Sequence, residues 1–190
     1  MSNQDKENEQ NTKTAISCGC GSGCCGSQAA EPAEKRQIVI EFLYLDVEVC
    51  TWCKGTEASL NGALDDVSAV LSASGVEVVV NRIHVDSEEK AERLRFASSP
   101  TIRVNGRDIQ LEGKESKCES CGDLCGDEVD CRVWIYQGKE YTSPPKAMII
   151  DSILREVYAQ RTTAEAASEK FVVPDNLKKF FRLVDAKKQK

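Results

Sequence analysis

The chain has 190 residues, enough for one globular domain with additional segments at its ends, and 41% of them are hydrophobic. Its net charge of −6 gives no electrostatic basis for nucleic-acid binding. No stretch approaches the roughly 20 apolar residues of a membrane span, and the polar beginning contains no apolar signal-peptide core. These features predict a cytoplasmic protein. Because cytoplasmic thiols stay mostly reduced, the ten cysteines indicate metal binding or redox catalysis rather than structural disulfides.

The first segment, residues 1–37, is polar, and we predict that it is disordered. It has too few apolar residues to offset the entropy lost on ordering. Glycine and serine separate most of its four cysteines, so the thiolates can wrap around a soft metal ion or metalloid. The alternative is a cysteine-rich stretch without a defined function. The four residues are Cys18, Cys20, Cys24 and Cys25.

A C-x-x-C motif, Cys50 to Cys53, stands between a predicted strand at 38–45 and a predicted helix at about 54–72. Such a motif is a redox dithiol or half of a metal site. A thiol at a helix N-terminus is stabilised as the thiolate by free N–H groups and the helix dipole. A second thiol one turn later can resolve a mixed disulfide. We therefore assign Cys50 as the attacking thiolate, the more exposed of the pair, and Cys53 as the resolving thiol.

The following elements are predicted from apolar periodicity and turn residues. A strand at 76–86 precedes a short helix that runs to about residue 96, and the Asn105-Gly106 turn joins a hairpin. A second hairpin follows at 132–142, and a helix spans about 146–160. Residues 161–190 contain a linker and an amphipathic helix that begins near Pro174, which we expect to pack on its own domain rather than to dock a partner.

A cysteine-rich insert at 113–131 interrupts this order of elements. Its cysteines have the spacing C-x2-C-x3-C-x5-C, in a loop broken by glycines. Four thiols fit a tetrahedral zinc site, although the last two arms are shorter than in common zinc ribbons. Two disulfides, a second redox pair or uncombined thiols are the alternatives. We expect the four to act together and apart from Cys50 and Cys53: Cys118, Cys121, Cys125 and Cys131.

Over residues 38–160 the order of elements resembles the thioredoxin-like superfamily, with Ser99-Pro100-Thr101 before the first hairpin. The stretch Ser-Ser-Pro-Thr-Ile-Arg-Val-Asn-Gly-Arg-Asp-Ile and the insert are closer to an uncharacterised prokaryotic family of cysteine-rich thioredoxin-like domains. The resemblance implies an α/β fold with a central mixed sheet flanked by helices. It also implies a cis Ser99–Pro100 bond beside the dithiol, with Pro100 shaping a substrate groove. Thr51-Trp52 departs from the Gly-Pro of thioredoxin itself.

Two functions follow from these patterns. The first is a cytoplasmic thiol–disulfide oxidoreductase that uses Cys50, Cys53 and Pro100 on a thiol or disulfide partner protein. The alternative is a protein that binds and transfers thiophilic metals or metalloids, such as mercury, arsenite, copper or zinc, for example in detoxification. The cofactor implied is zinc or another thiophilic ion, held by the cysteines of the insert or of the first segment.

Overall fold

The computed structural model of the protein describes residues 36–125, 129–158 and 171–188. Its main sheet consists of the strands β1 (Arg36–Tyr44), β2 (Val76–His84), β3 (Thr101–Val104) and β4 (Arg107–Asp108). The strand order is β2-β1-β3-β4. Strand β1 runs parallel to β2 and antiparallel to β3, and β4 is antiparallel to β3. The predicted α/β fold with a mixed sheet is therefore confirmed.

Five helices and two small sheets complete the described part of the chain. The helices are α1 (Thr51–Ala73), α2 (Glu88–Arg93), α3 (Glu119–Cys125), α4 (Lys146–Tyr158) and α5 (Asp175–Lys188). The remaining strands are β5 (Glu115–Lys117), β6 (Asp130–Arg132), β7 (Trp134–Tyr136) and β8 (Lys139–Tyr141). Strand β5 pairs with β6, and β7 pairs with β8. Each of these helices is too short or too polar to cross a bilayer.

Strand β1 supplies side chains to two apolar cores, because successive residues of a strand point to opposite faces. Ile38, Ile40 and Phe42 enter a core shared with α1, α4 and β3. Leu43, and Leu45 just after the strand, enter a second core, which we call the cysteine core. Besides these two leucines and other apolar residues, its buried members include Phe96, Val129, Val173, Leu177, Phe180, Phe181 and all six described cysteines.

Several predicted boundaries shift in the structure. Helix α1 begins at Thr51, three residues earlier than about 54, because Cys50 serves as its N-cap. Strand β1 begins at Arg36, so Arg36 and Gln37 belong to the sheet rather than to the first segment. The insert, predicted as a loop, contains β5, α3 and β6. The rest of the first segment, the linker at 161–170 and Cys18, Cys20, Cys24 and Cys25 lie outside the described residues.

The last helix packs on its own domain, as predicted. Leu177, Phe180 and Phe181 are buried in the cysteine core. At the start of α5, the Asn176 side-chain amide donates to the Asp130 carbonyl at 2.9 Å and accepts from the Asp130 N–H at 3.2 Å. At its end, Lys187 Nζ donates to the carbonyls of residues 123 and 124 in α3. Helix α5 therefore holds both β6 and α3.

Replacing Leu177 with alanine tests this packing. Leu177 is fully buried, so the variant should lose about 2–5 kcal/mol of the free energy of unfolding, from lost apolar burial and the cavity left behind. The control is Val172→Ala at a side chain that is 66% exposed, which should change stability by less than about 0.5 kcal/mol. Urea unfolding followed by circular dichroism measures both. Equal effects of the two substitutions would contradict a stabilising role for α5.

Candidate metal centre

Four cysteine sulfurs form a compact group in the cysteine core. All four Sγ atoms lie within 4.8 Å of one another. The Cys50–Cys118 sulfurs are 3.8 Å apart, and the Cys121–Cys131 sulfurs are 3.4 Å apart. A regular tetrahedron with Zn–S bonds of about 2.3 Å has edges of about 3.8 Å. The group therefore has the dimensions of a four-thiolate site for a single ion.

Cys50 reaches the group from the end of the main sheet. It follows β1 through a short loop and caps α1, where its Sγ accepts a hydrogen bond from the Cys53 N–H at 3.4 Å. The preceding loop is held by Asp46, whose carboxylate accepts from the N–H groups of Glu48 and Val49. The Cys53 N–H, in the first turn of α1, thus points at this sulfur, which favours its negative charge.

The insert brings the other three sulfurs together. Strands β5 and β6 pair so that Ser116 lies opposite Cys131. The Cys118 N–H donates to the Val129 carbonyl at 2.9 Å, which continues this pairing to the start of α3. The Gly122 N–H donates to the Cys118 carbonyl at 3.0 Å, so Cys118 begins the first turn of α3 and Cys121 lies on the same face three residues later. The pairing of β5 with β6 therefore places Cys118 and Cys121 beside Cys131.

A polar network fixes β6 against the main sheet. The Arg132 N–H donates to the Ser99 carbonyl at 2.7 Å, and the Arg132 guanidinium pairs with Asp108 at 2.7 Å. The side-chain amide of Gln110 donates to the Val133 carbonyl at 2.9 Å and accepts from the Ile135 N–H at 2.6 Å. Because Arg132 directly follows a cysteine of the group, this network sets the position of that sulfur.

The four sulfurs are shielded from solvent. Cys50, Cys121 and Cys131 have no exposed surface, and Cys118 is 3% exposed. In such surroundings two thiolates about 4 Å apart repel by roughly 4 kcal/mol at an effective dielectric constant of about 20. Four thiolates contain six such pairs, so all four cannot ionise together without a cation. A bound divalent ion removes this repulsion.

In the metal-free group, some of the four sulfurs keep their protons. Thiol hydrogen bonds, first from Cys118 and then from Cys121 and Cys131, lower the pKa of Cys50. The pKa of Cys118 is lowered, and the largest cause is its interaction with Cys121. The pKa values of Cys121 and Cys131 are raised, and the largest cause for both is their interaction with Cys118. These directions favour ionisation at Cys50, to which the other three thiols of the group donate.

Cys53 lies beside the group but outside it. Its Sγ is 3.5 Å from the Ser99 hydroxyl, which also accepts from the Leu45 N–H at 3.2 Å. Interaction with Cys50 first of all, and then burial, raise the pKa of the Cys53 thiol. The Ser99–Pro100 bond is cis, as predicted, and Pro100 is buried. The expectation that Cys50 is more exposed than Cys53 is wrong, since both are fully buried.

The expected grouping of the insert cysteines, apart from Cys50 and Cys53, is also corrected. Cys50 joins three of them, and Cys125 lies outside the group. Cys125 follows Cys121 by four residues, which places it about 6 Å further along α3. The short C-x3-C-x5-C spacing was the signal in the sequence that the insert does not supply all four ligands. Arms that do not fit a zinc ribbon indicate that one ligand comes from elsewhere, but they do not say from where.

Two adjacent serines give a matched test of the loop that supports the site. Ser99→Ala removes the acceptor of the buried Leu45 N–H, so it should cost about 1–3 kcal/mol of unfolding free energy. The buried Ser98 hydroxyl has no hydrogen-bond partner among the described residues, so Ser98→Ala should be neutral or stabilising. Thermal and urea unfolding of both variants measure the difference. A larger loss for Ser98→Ala would contradict the hydrogen-bond assignment.

Comparison with known proteins identifies the family without adding an activity. No curated protein and no solved structure matches the chain. Residues 38–153, more than half of the chain, match the family described as a domain of unknown function (DUF2703). The matched range contains the main sheet from Ile38 onwards, the C-x-x-C motif and all four cysteines of the candidate metal centre. The chain therefore belongs to the DUF2703 family.

Proposed function

We propose that this domain binds one thiophilic metal ion through the thiolates of Cys50, Cys118, Cys121 and Cys131. The observation that carries the proposal is the approach of all four sulfurs to within 4.8 Å in a buried site. Tetrahedral four-sulfur sites are typical of zinc. An iron–sulfur cluster is less suitable, because its thiolates bind separate iron atoms rather than one central ion.

Zinc is the preferred ion in this proposal, and its site is closed. Four protein ligands fill a tetrahedral coordination shell and leave no position for a substrate. The ion would join the start of α1 to both ends of the insert, across 68 residues of sequence between Cys50 and Cys118. Mercury, arsenite and copper are the other soft ions that the thiolates can bind, as cargo rather than as a resident ion.

A second candidate function, thiol–disulfide exchange, applies to the metal-free domain. The specific support is the position of Cys53, which lies next to Cys50 and within 3.5 Å of the Ser99 hydroxyl before the cis Pro100 bond. The thioredoxin-like fold is part of this proposal, supported by the order of elements from β1 to β4. So is a reducing cytoplasmic location, which accords with six described cysteines that are thiols rather than disulfides.

Metal stoichiometry tests the main proposal. The sample is the full-length chain with serine at positions 18, 20, 24 and 25, so that only the domain cysteines can bind. We expect one zinc ion per chain by elemental analysis after removal of excess metal. Cys121→Ser should weaken zinc binding at least about tenfold, because it removes a ligand. Cys125→Ser is the control, a buried cysteine outside the group, and should retain the metal. Equal zinc binding by both variants would refute the four-thiolate assignment.

The pH dependence of zinc affinity gives a second test. Cysteine ligands bind as thiolates, so zinc must displace the protons that the metal-free group retains. Affinity should therefore fall as the pH falls, by more than about tenfold per pH unit if more than one proton is displaced. Competition with a chelator of known proton affinity between pH 6 and pH 8, roughly the working range of zinc–thiolate sites, measures the slope. An affinity that does not change with pH would contradict binding by buried cysteine thiols.

A further inference from the structure

We infer that disulfide exchange at Cys50 and Cys53 opens the metal centre, so that oxidation of this pair releases the ion. The inference rests on the proposed metal centre and adds its regulation. Cys50 belongs to two arrangements at once: it is a member of the four-sulfur group and the first cysteine of the C-x-x-C motif. A sulfur in a disulfide cannot act as a thiolate ligand, so the two arrangements exclude each other.

Cys53 is placed to act on Cys50 rather than to bind the ion. Its N–H donates to Cys50 Sγ at 3.4 Å, and its thiol lies 3.5 Å from the Ser99 hydroxyl. It is fully buried and not a member of the group within 4.8 Å. Cys53 therefore serves as a resolving thiol whose replacement leaves all four ligands in place.

The oxidant in this inference is a disulfide, R–S–S–R, which balances the reaction. Cys50 sulfur leaves the metal and attacks the disulfide, forming a Cys50–S–R mixed disulfide and expelling one RS⁻. Cys53 sulfur then attacks Cys50 sulfur and expels a second RS⁻, while the Cys53 proton passes to one of the two departing thiolates. Two electrons move from the cysteine pair to the former R–S–S–R bond. The metal keeps its oxidation state, loses one of four ligands and dissociates.

The Cys50 sulfur is buried, but the chain on either side of it is exposed. The residues on either side of it, Val49 and Thr51, are both exposed. A local opening at the beginning of α1 therefore suffices for a small disulfide to reach the sulfur. Two other sulfur pairs compete for oxidation, Cys50–Cys118 at 3.8 Å and Cys121–Cys131 at 3.4 Å. Disulfides between either of these pairs would also release metal, and neither needs Cys53.

The test compares Cys53→Ser with Cys125→Ser, a matched loss of a buried cysteine outside the group. Both are made in the full-length chain with serine at positions 18, 20, 24 and 25, loaded with zinc and checked for stoichiometry. Hydroxyethyl disulfide is then added with excess 2-mercaptoethanol, which returns an unresolved mixed disulfide at Cys50 to the ligand thiolate, and a zinc-sensitive dye follows release. We expect Cys125→Ser to release zinc at the parent rate and Cys53→Ser at least about tenfold more slowly. Dithiothreitol should restore zinc binding to the parent.

Mass spectrometry of tryptic peptides identifies the disulfide that forms. Residues 37–54 make one peptide with only Cys50 and Cys53, and residues 118–132 make another with the four insert cysteines. An internal disulfide in the first peptide supports the inference. A cross-link between the peptides, or a disulfide within the second, together with parent-like release from Cys53→Ser, would overturn it. A parent chain that binds no zinc before oxidation would refute the proposed metal centre itself. The stoichiometry check detects this outcome before any disulfide is added.

Discussion

Mutual repulsion among four buried sulfurs is the constraint on which the centre of this domain depends. Each pair of thiolates at such distances repels by roughly 4 kcal/mol at an effective dielectric constant of about 20, which is comparable to a large part of the stability of a small domain. The metal-free group can lower this cost only by keeping protons on some sulfurs. A thiophilic cation removes the cost and adds four bonds to sulfur, so the same geometry that is unfavourable for ionised thiols favours metal binding.

The environment of the group explains why the surrounding chain is arranged as it is. The insert is too short to build an apolar core, and it is stabilised from outside. Helix α5 covers it with Leu177, Phe180 and Phe181, while Asn176 and Lys187 bind the backbone of β6 and α3. An ion at the four sulfurs would add a covalent-like link between this insert and α1. The insert, α1 and α5 would then unfold as one cooperative unit.

The proposed function and its regulation give Cys50 two kinds of chemistry, metal binding and disulfide exchange. As a ligand it must stay a thiolate on the metal, and as the first cysteine of a C-x-x-C motif it must be able to form a disulfide. Cys53, beside the Ser99 hydroxyl, is the partner for a disulfide at Cys50. The three insert cysteines are its partners in the four-sulfur group. In the proposed function, the redox state of the pair and the occupancy of the centre would therefore be coupled through a single sulfur atom.

Local pattern in the sequence was enough to predict most elements of the fold. Apolar periodicity marked β1, α1, α4 and α5, and the Asn105-Gly106 turn marked the first hairpin, because turn chemistry and side-chain period act over a few residues. The membership of the candidate metal centre could not be predicted from local pattern. Cys50 lies 68 residues before Cys118, and only the folded sheet and the β5–β6 pairing bring them to 3.8 Å, while helical rise carries Cys125 away from them. Sequence thus determined which residues carry the thiol chemistry, and tertiary structure decided which thiols share a site, because contacts between distant segments depend on packing rather than on spacing.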